Sequence, residues 1–108
     1  MKKLIVTFVA LTATVAGVAL AADVKNGAEV FGKSCKMCHG EGGATPNAAV
    51  AKSFGVAIPV LSDAAIQGKS DADIKTVITA GKGKMPAAKN VTGSAIDDVV
   101  AYIRSLKK

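Results

Sequence analysis

The sequence predicts an all-α domain: three main helices, with one or two short helices between them. Apolar residues recur at helical spacing in three stretches, near residues 23–33, 70–80 and 92–106. No stretch alternates apolar and polar residues strongly enough to support a strand. The segments between the helical stretches are rich in glycine and proline, the residues that punctuate loops. A chain of 108 residues is the size of one domain.

Residues 1–21 read as a secretory signal peptide that precedes this domain. Lys2 and Lys3 give a positive start, residues 4–20 are apolar and uncharged, and Ala19-Leu20-Ala21 has the small-x-small form of a cleavage site. A retained anchor is the competing reading. The 17-residue apolar run, diluted by Gly17 and three threonines, is shorter than the roughly 20 residues that span a bilayer. No cysteine directly follows the run to accept a lipid, so no stable membrane anchor is expected. The mature domain is then 22–108, in the periplasm, or in the thylakoid lumen of a phototroph.

The first helix is expected over 23–33, with Asp23 as its N-cap and Val24, Ala28, Phe31 and Cys35 on one face. Gly27 lies one turn before Phe31. A glycine inside a helix costs about 1 kcal/mol against alanine, and a close approach of another helix backbone would explain it. Residues 40–59 have weak periodicity, with Gly40, Gly42, Gly43 and Pro46 marking a loop and room for a short helix over 47–53. A turn or two over 62–67 would be capped by Ser62 and stopped by Gly68. The helix over 70–80 has Ser70 with Asp73 in capping-box spacing, a stripe of Ile74, Val77 and Ile78, and Gly81 as its stop. The last helix is expected to be capped by Thr92 or Ser94 and to run to about Leu106, with Ile96, Val99, Val100, Ile103 and Leu106 on its apolar face. Asp97 and Asp98 near its start, and Arg104, Lys107 and Lys108 near its end, suit the helix dipole.

The chemistry of the chain is concentrated in Cys35-Lys36-Met37-Cys38-His39. Two thiols separated by two residues, followed at once by a histidine, form the attachment pattern of a c-type haem. Each thiol can add across one vinyl group, and the next residue then presents an imidazole to the iron. A thioredoxin-like dithiol expects a strand–helix–strand setting that is not found here. A structural zinc site needs four Cys or His ligands, and this chain has two Cys and one His. A disulfide between cysteines this close would close a tiny loop and add little stability.

Composition agrees with a bound macrocycle. After cleavage the aromatic residues are Phe31, Phe54 and Tyr102, few for a domain of 87 residues with a limited core. A large apolar cofactor would complete that core, so the chain without it is expected to fold poorly. Removing Lys2 and Lys3 from 14 basic residues leaves 12 against 8 acidic ones, a mature net charge of +4 spread along the chain. The single arginine, the lack of tryptophan and the absence of a basic cluster argue against nucleic-acid binding. The lysines read as a solvated surface suited to steering an acidic partner.

His39 is the only histidine, so a second histidine ligand from the same chain is excluded. The remaining candidates for the other axial position are methionine, lysine, water or a small ligand. Met1 leaves with the signal peptide, and Met37 is tethered inside the attachment motif. Met85 lies 46 residues beyond His39, in a glycine-rich loop and next to Pro86, which restrains its backbone. A methionine in a loop is more commonly a gap-filler. Given the haem motif, Met85 is the expected ligand. A neutral thioether favours Fe(II), raises the reduction potential and closes the iron to oxygen or peroxide.

Three segments in order, Gly27-Ala28-Glu29-Val30-Phe31, Cys35-Lys36-Met37-Cys38-His39-Gly40 and Gly81-Lys82-Gly83-Lys84-Met85-Pro86, precede Val99-Val100-Ala101-Tyr102-Ile103 near the end. In these the mature chain resembles the class I c-type cytochromes, the small soluble monohaem kind. The resemblance implies a small cytochrome c fold around one covalently bound haem c. It places Gly27 and Phe31 against Tyr102, and implies thioethers from Cys35 and Cys38 and axial ligation by His39 and Met85. Thr45-Pro46-Asn47 resembles the segment whose proline carbonyl accepts a hydrogen bond from the proximal histidine in relatives. Many relatives carry a tryptophan near the haem propionates, and this chain has none.

The expected function is one-electron transfer between redox proteins that dock transiently at the haem edge, rather than enzymatic catalysis. A peroxidase or gas sensor would need a labile sixth ligand and a distal acid–base group, and a thiol–disulfide oxidoreductase would carry no haem.

Overall fold

The computed structural model describes residues 22–108, and the expected signal peptide, 1–21, lies outside the described residues. Six α-helices follow in order: α1 (Val24–Ser34), α2 (Lys36–His39), α3 (Ala48–Phe54), α4 (Ala64–Gln67), α5 (Asp71–Ala80) and α6 (Ser94–Ser105). A 3₁₀ turn, Glu41–Gly43, stands between α2 and α3. Among the described residues there is no strand, only one isolated bridge between Lys82 and Met85. The all-α expectation holds, with three main helices (α1, α5 and α6) and three short ones.

Helix α1 starts where a side chain can cap it: the Asp23 carboxylate accepts from Asn26 N–H at 3.1 Å. Ser70 does the same for α5, accepting from Asp73 N–H at 3.1 Å. Two expected caps are different. The Ser62 hydroxyl does not cap α4, whose N-cap is Asp63. Neither Thr92 nor Ser94 caps α6 with its hydroxyl. Gly93 is the N-cap, and the Thr92 backbone carbonyl accepts from Ala95 N–H at 3.2 Å. Backbone turn geometry there substitutes for the side chain.

Helices α1 and α6 cross at Gly27. A Cβ built on Gly27 would lie 2.0 Å from the Asp98 carbonyl oxygen and 2.9 Å from the Tyr102 Cβ. No side chain fits, which is why the helix carries a glycine despite its cost. Phe31, one turn later, packs on Tyr102 with ring centroids 5.2 Å apart. Asp98 secures the same crossing. It is buried, and its carboxylate accepts from Asp23 N–H at 2.8 Å and from the Asn26 side-chain amide at 2.7 Å. The sequence assigns Asp98 a dipole role; the structure adds a tie between the chain's start and its last helix.

The buried core comprises Phe31, Leu61, Ile74, Ile78, Val91, Val99, Val100 and Ile103. Each such side chain contributes about 1.5–3 kcal/mol when fully removed from water. At its far end α6 is clamped to the 67–71 segment by Arg104, which donates to the Gln67 carbonyl at 2.7 Å, the Lys69 carbonyl and the Asp71 carboxylate at 2.9 Å. This fixed framework presents α2 and the 81–87 loop to a common cavity.

Candidate haem site

The cavity has a volume of about 690 Å³, within the range of small-molecule and cofactor sites. Cys35, Cys38, His39 and Met85 all line it, the first three from one helical turn and Met85 from the loop after α5. Apolar side chains dominate the rest of the wall, among them Phe31, Leu61, Val77, Ile78 and Val99. The residues singled out from the sequence, three by spacing and Met85 by elimination, are thus brought to one place.

Local geometry explains how α2 holds the motif. The Cys35 carbonyl accepts from His39 N–H at 3.1 Å, so one helical turn places both cysteines and the histidine on the cavity side. Asn47 then pins the turn twice, its N–H donating to the Cys38 carbonyl at 2.9 Å and its side-chain amide to the Met37 carbonyl at 3.1 Å. The two cysteines are not joined to each other in a disulfide. Burial, and then the neighbouring Cys38, push the Cys35 thiol up to about 11, so it stays protonated at neutral pH.

The His39 ring lies 6.4 Å from the Phe31 ring, which links it to the helix crossing. Burial lowers its pKa from the ordinary imidazole value, and the Pro59 backbone partly offsets that effect. The neutral imidazole favoured by burial is the form that ligates a metal. Its Nδ1 is buried and makes no hydrogen bond, and the Pro59 backbone is the group that acts on the ring against the effect of burial. The resemblance assigns the histidine-orienting carbonyl to Pro46; Pro59, not Pro46, lines the cavity and acts on the ring through its backbone. Thr45 and Pro46 instead pack behind Gly40. The chain leaves the motif, runs through α3 and returns, so the proline beside the ring is 20 residues beyond His39 rather than 7.

Met85 is held more firmly than a glycine-rich loop suggests. Lys82 and Met85 exchange both backbone hydrogen bonds, each at 2.9 Å. Gly81 ends α5 at φ 78°, and a Cβ there would lie 2.6 Å from the Met85 carbonyl oxygen. The loop is therefore folded back tightly onto the helix end, which only glycine permits. Ala88 N–H then donates to the Ile78 carbonyl at 2.8 Å, tying the loop's exit to α5.

The donor set fits a c-type haem. It offers two thiols for two vinyl groups, one neutral imidazole with its other nitrogen still free, and a thioether on a different element, all around an apolar space for the macrocycle. A family model described as "Cytochrome C oxidase, cbb3-type, subunit III" matches residues 22–103. The chain belongs to the small class I c-type cytochromes. It is 38% identical to cytochrome c6 of Gloeothece citriformis over 87 residues, covering 79% of this chain and 73% of that protein. It is 35% identical to cytochrome c6 of Thermosynechococcus vestitus over 98 residues, covering 88% and 80%. A solved structure, the KustC0563 c-type cytochrome, superimposes with a TM-score of 0.62 at 27% identity, covering 76% of this chain and 98% of that one. This cytochrome carries a covalently bound haem c and transfers electrons one at a time.

Pro59, Asn47 and Phe31 are site-building residues to which the spacing arguments assign no role at the histidine. Pro59 sits at the end of a loop of weak periodicity, where nothing local marks a long-range contact.

Proposed function

We propose that Cys35 and Cys38 hold the haem through thioether bonds, that His39 and Met85 ligate its iron from opposite faces, and that the protein shuttles single electrons between redox partners in the periplasm. The observation that carries this reading is the convergence of all four side chains on one apolar cavity. Cys35 and Cys38 fix the group to α2, so it cannot dissociate between encounters. His39, kept neutral by burial, and the soft sulfur of Met85 satisfy iron in both oxidation states, so little rearrangement accompanies electron transfer. The haem supplies the redox-active iron; the protein supplies its ligands, an apolar surrounding and a fixed position.

With both axial positions taken, the iron has no site for a substrate, and the protein is a carrier rather than an enzyme. Among the described residues no helix is long and apolar enough to cross a membrane, as a diffusing carrier requires after removal of residues 1–21. Partners dock at the cavity mouth, where Met37 (77% exposed) and Phe54 (52%) present apolar surface. The description of the family model as an oxidase subunit supports a terminal oxidase as one class of partner.

The test is the visible spectrum of the secreted protein. A low-spin haem unaffected by carbon monoxide is expected, with haem staining that survives denaturation and weakens in Cys38→Ser. A high-spin spectrum that responds to carbon monoxide would overturn the carrier reading, and a colourless protein would overturn the haem reading as well.

A further inference from the structure

The cavity wall contains three charged side chains, Lys69, Lys82 and Lys84, and no carboxylate. Among the described residues, the ion pairs are Lys36–Glu41, Lys75–Asp97 and Arg104–Asp71, so none of the three cavity lysines has a protein counter-charge. Their backbones are placed by specific bonds. The Lys69 carbonyl accepts from Arg104 of α6, and its N–H donates to the Ile66 carbonyl at 3.1 Å. Lys82 is paired to Met85 through both backbone bonds, and Lys84 lies within that turn.

Lys82 and Lys84 are exposed lysines of the cavity lining, whereas Lys69 is half-buried, so filling the cavity with an apolar macrocycle removes further water from it. That is costly unless the incoming group brings negative charge. A haem carries two carboxylates on the edge away from its two vinyl groups. The vinyl edge belongs at Cys35 and Cys38 on α1 and α2, whereas the three lysines stand on other elements: the α4–α5 connection and the loop after α5. We propose that Lys69, Lys82 and Lys84 are the partners of the haem carboxylates, replacing the tryptophan that this chain lacks. The inference rests on the haem reading above. The other titratable groups lining the cavity are His39 and the two thiols, and those are committed to iron and to the vinyl groups.

The consequence is readable in the reduction potential. An ionised carboxylate near the iron favours Fe(III), so a carboxyl that titrates makes the potential fall as pH rises through its pKa. An ammonium beside it holds that pKa low, by 1–3 units for an opposite charge within about 4–6 Å. The holoprotein should therefore show a potential that is flat through neutral pH.

The experiment is spectroelectrochemical titration of the purified holoprotein from pH 4 to 9. The variants are Lys69→Gln, the triple change Lys69→Gln/Lys82→Gln/Lys84→Gln, Lys69→Arg, and Lys36→Gln as a same-charge control outside the cavity wall. The pH-dependent fall should move up by about one unit or more in the glutamine variants. It should stay in place in Lys69→Arg, which keeps the charge, and in Lys36→Gln. Superimposable profiles for the parent and the triple variant would overturn the assignment. So would an equal displacement in Lys36→Gln, which would show a general charge effect. Each protein's low-spin spectrum is recorded first. An intact spectrum with unmoved profiles removes only the lysine assignment, whereas loss of covalent haem in the parent removes the haem reading itself.

Discussion

The two sides of this small domain are built differently. On one side α1 and α6 meet directly: Gly27 lets the backbones touch, Phe31 packs on Tyr102, and Asp98 bonds back to Asp23 and Asn26. That side is complete with protein atoms alone. On the other side the walls are short helices and loops. Their apolar residues face a cavity, and Phe54, Val56 and Met37 remain substantially exposed. The first side is a helix–helix interface; the second is an apolar wall suited to the haem. The chain thus invests Phe31, Tyr102 and its buried carboxylate where helices meet, and leaves much of the opposite wall to the cofactor.

The largest expected effect follows from that asymmetry. Protein produced without haem should lose much of its helix content and its cooperative unfolding, because the cavity side is only partly filled by protein side chains. Circular dichroism and thermal melts of the haem-free and haem-loaded chains check this. Native helicity in the haem-free chain would show that the two sides are equally self-sufficient.

Next in size is the crossing itself. Gly27→Ala places a methyl group within 2.0 Å of the Asp98 carbonyl oxygen, a backbone atom that cannot rotate away. The holoprotein should lose about 3 kcal/mol, the upper end of ordinary overpacking, by denaturant unfolding. The haem spectrum should survive, since the change is remote from the ligands.

Asp98→Ala should cost about 2 kcal/mol, because it removes the acceptor of two hydrogen bonds at the start of α1. Asp98→Asn should cost less, keeping one acceptor oxygen. The smallest effect is expected at Lys75, whose fully exposed ammonium is held above its ordinary value of 10.5 by the hydrogen bond and charge of Asp97. A raised pKa gives stability that is present below the unfolded value and is lost as pH rises through the folded one. Lys75→Gln should therefore match the parent once the pH is well above 10.5, and any difference should be confined to lower pH.

The same contrast governs what could be read from the sequence. The attachment residues were legible because their chemistry is local: Cys35, Cys38 and His39 share one helical turn, so spacing fixes their geometry. Met85 was singled out by elimination in a chain with one histidine, and it lines the same cavity as the attachment motif. Gly27 was legible because a glycine inside a helix has a cost that some contact must repay. Pro59 was not, since its place beside His39 depends on how 20 residues of loop and short helix return to the motif, and no periodicity encodes that path. Asp98 was ambiguous for a related reason: a carboxylate early in a helix satisfies the dipole whether or not it also bonds to a distant segment. The α4 and α6 caps misled because a nearby hydroxyl signals a helix start that here falls to Asp63 and to Gly93.

The central claim is that Met85 sulfur and His39 nitrogen hold one iron between them. The mature chain contains two methionines, Met37 and Met85, so the reduced protein labelled at its methionine methyl groups should give two methyl resonances. A methyl group bound over the face of a haem is shielded strongly by the ring current. The account predicts one resonance shifted far upfield, kept in Met37→Leu and lost in Met85→Leu. Two methyl resonances at ordinary positions, or an upfield signal that disappears with Met37, would contradict it.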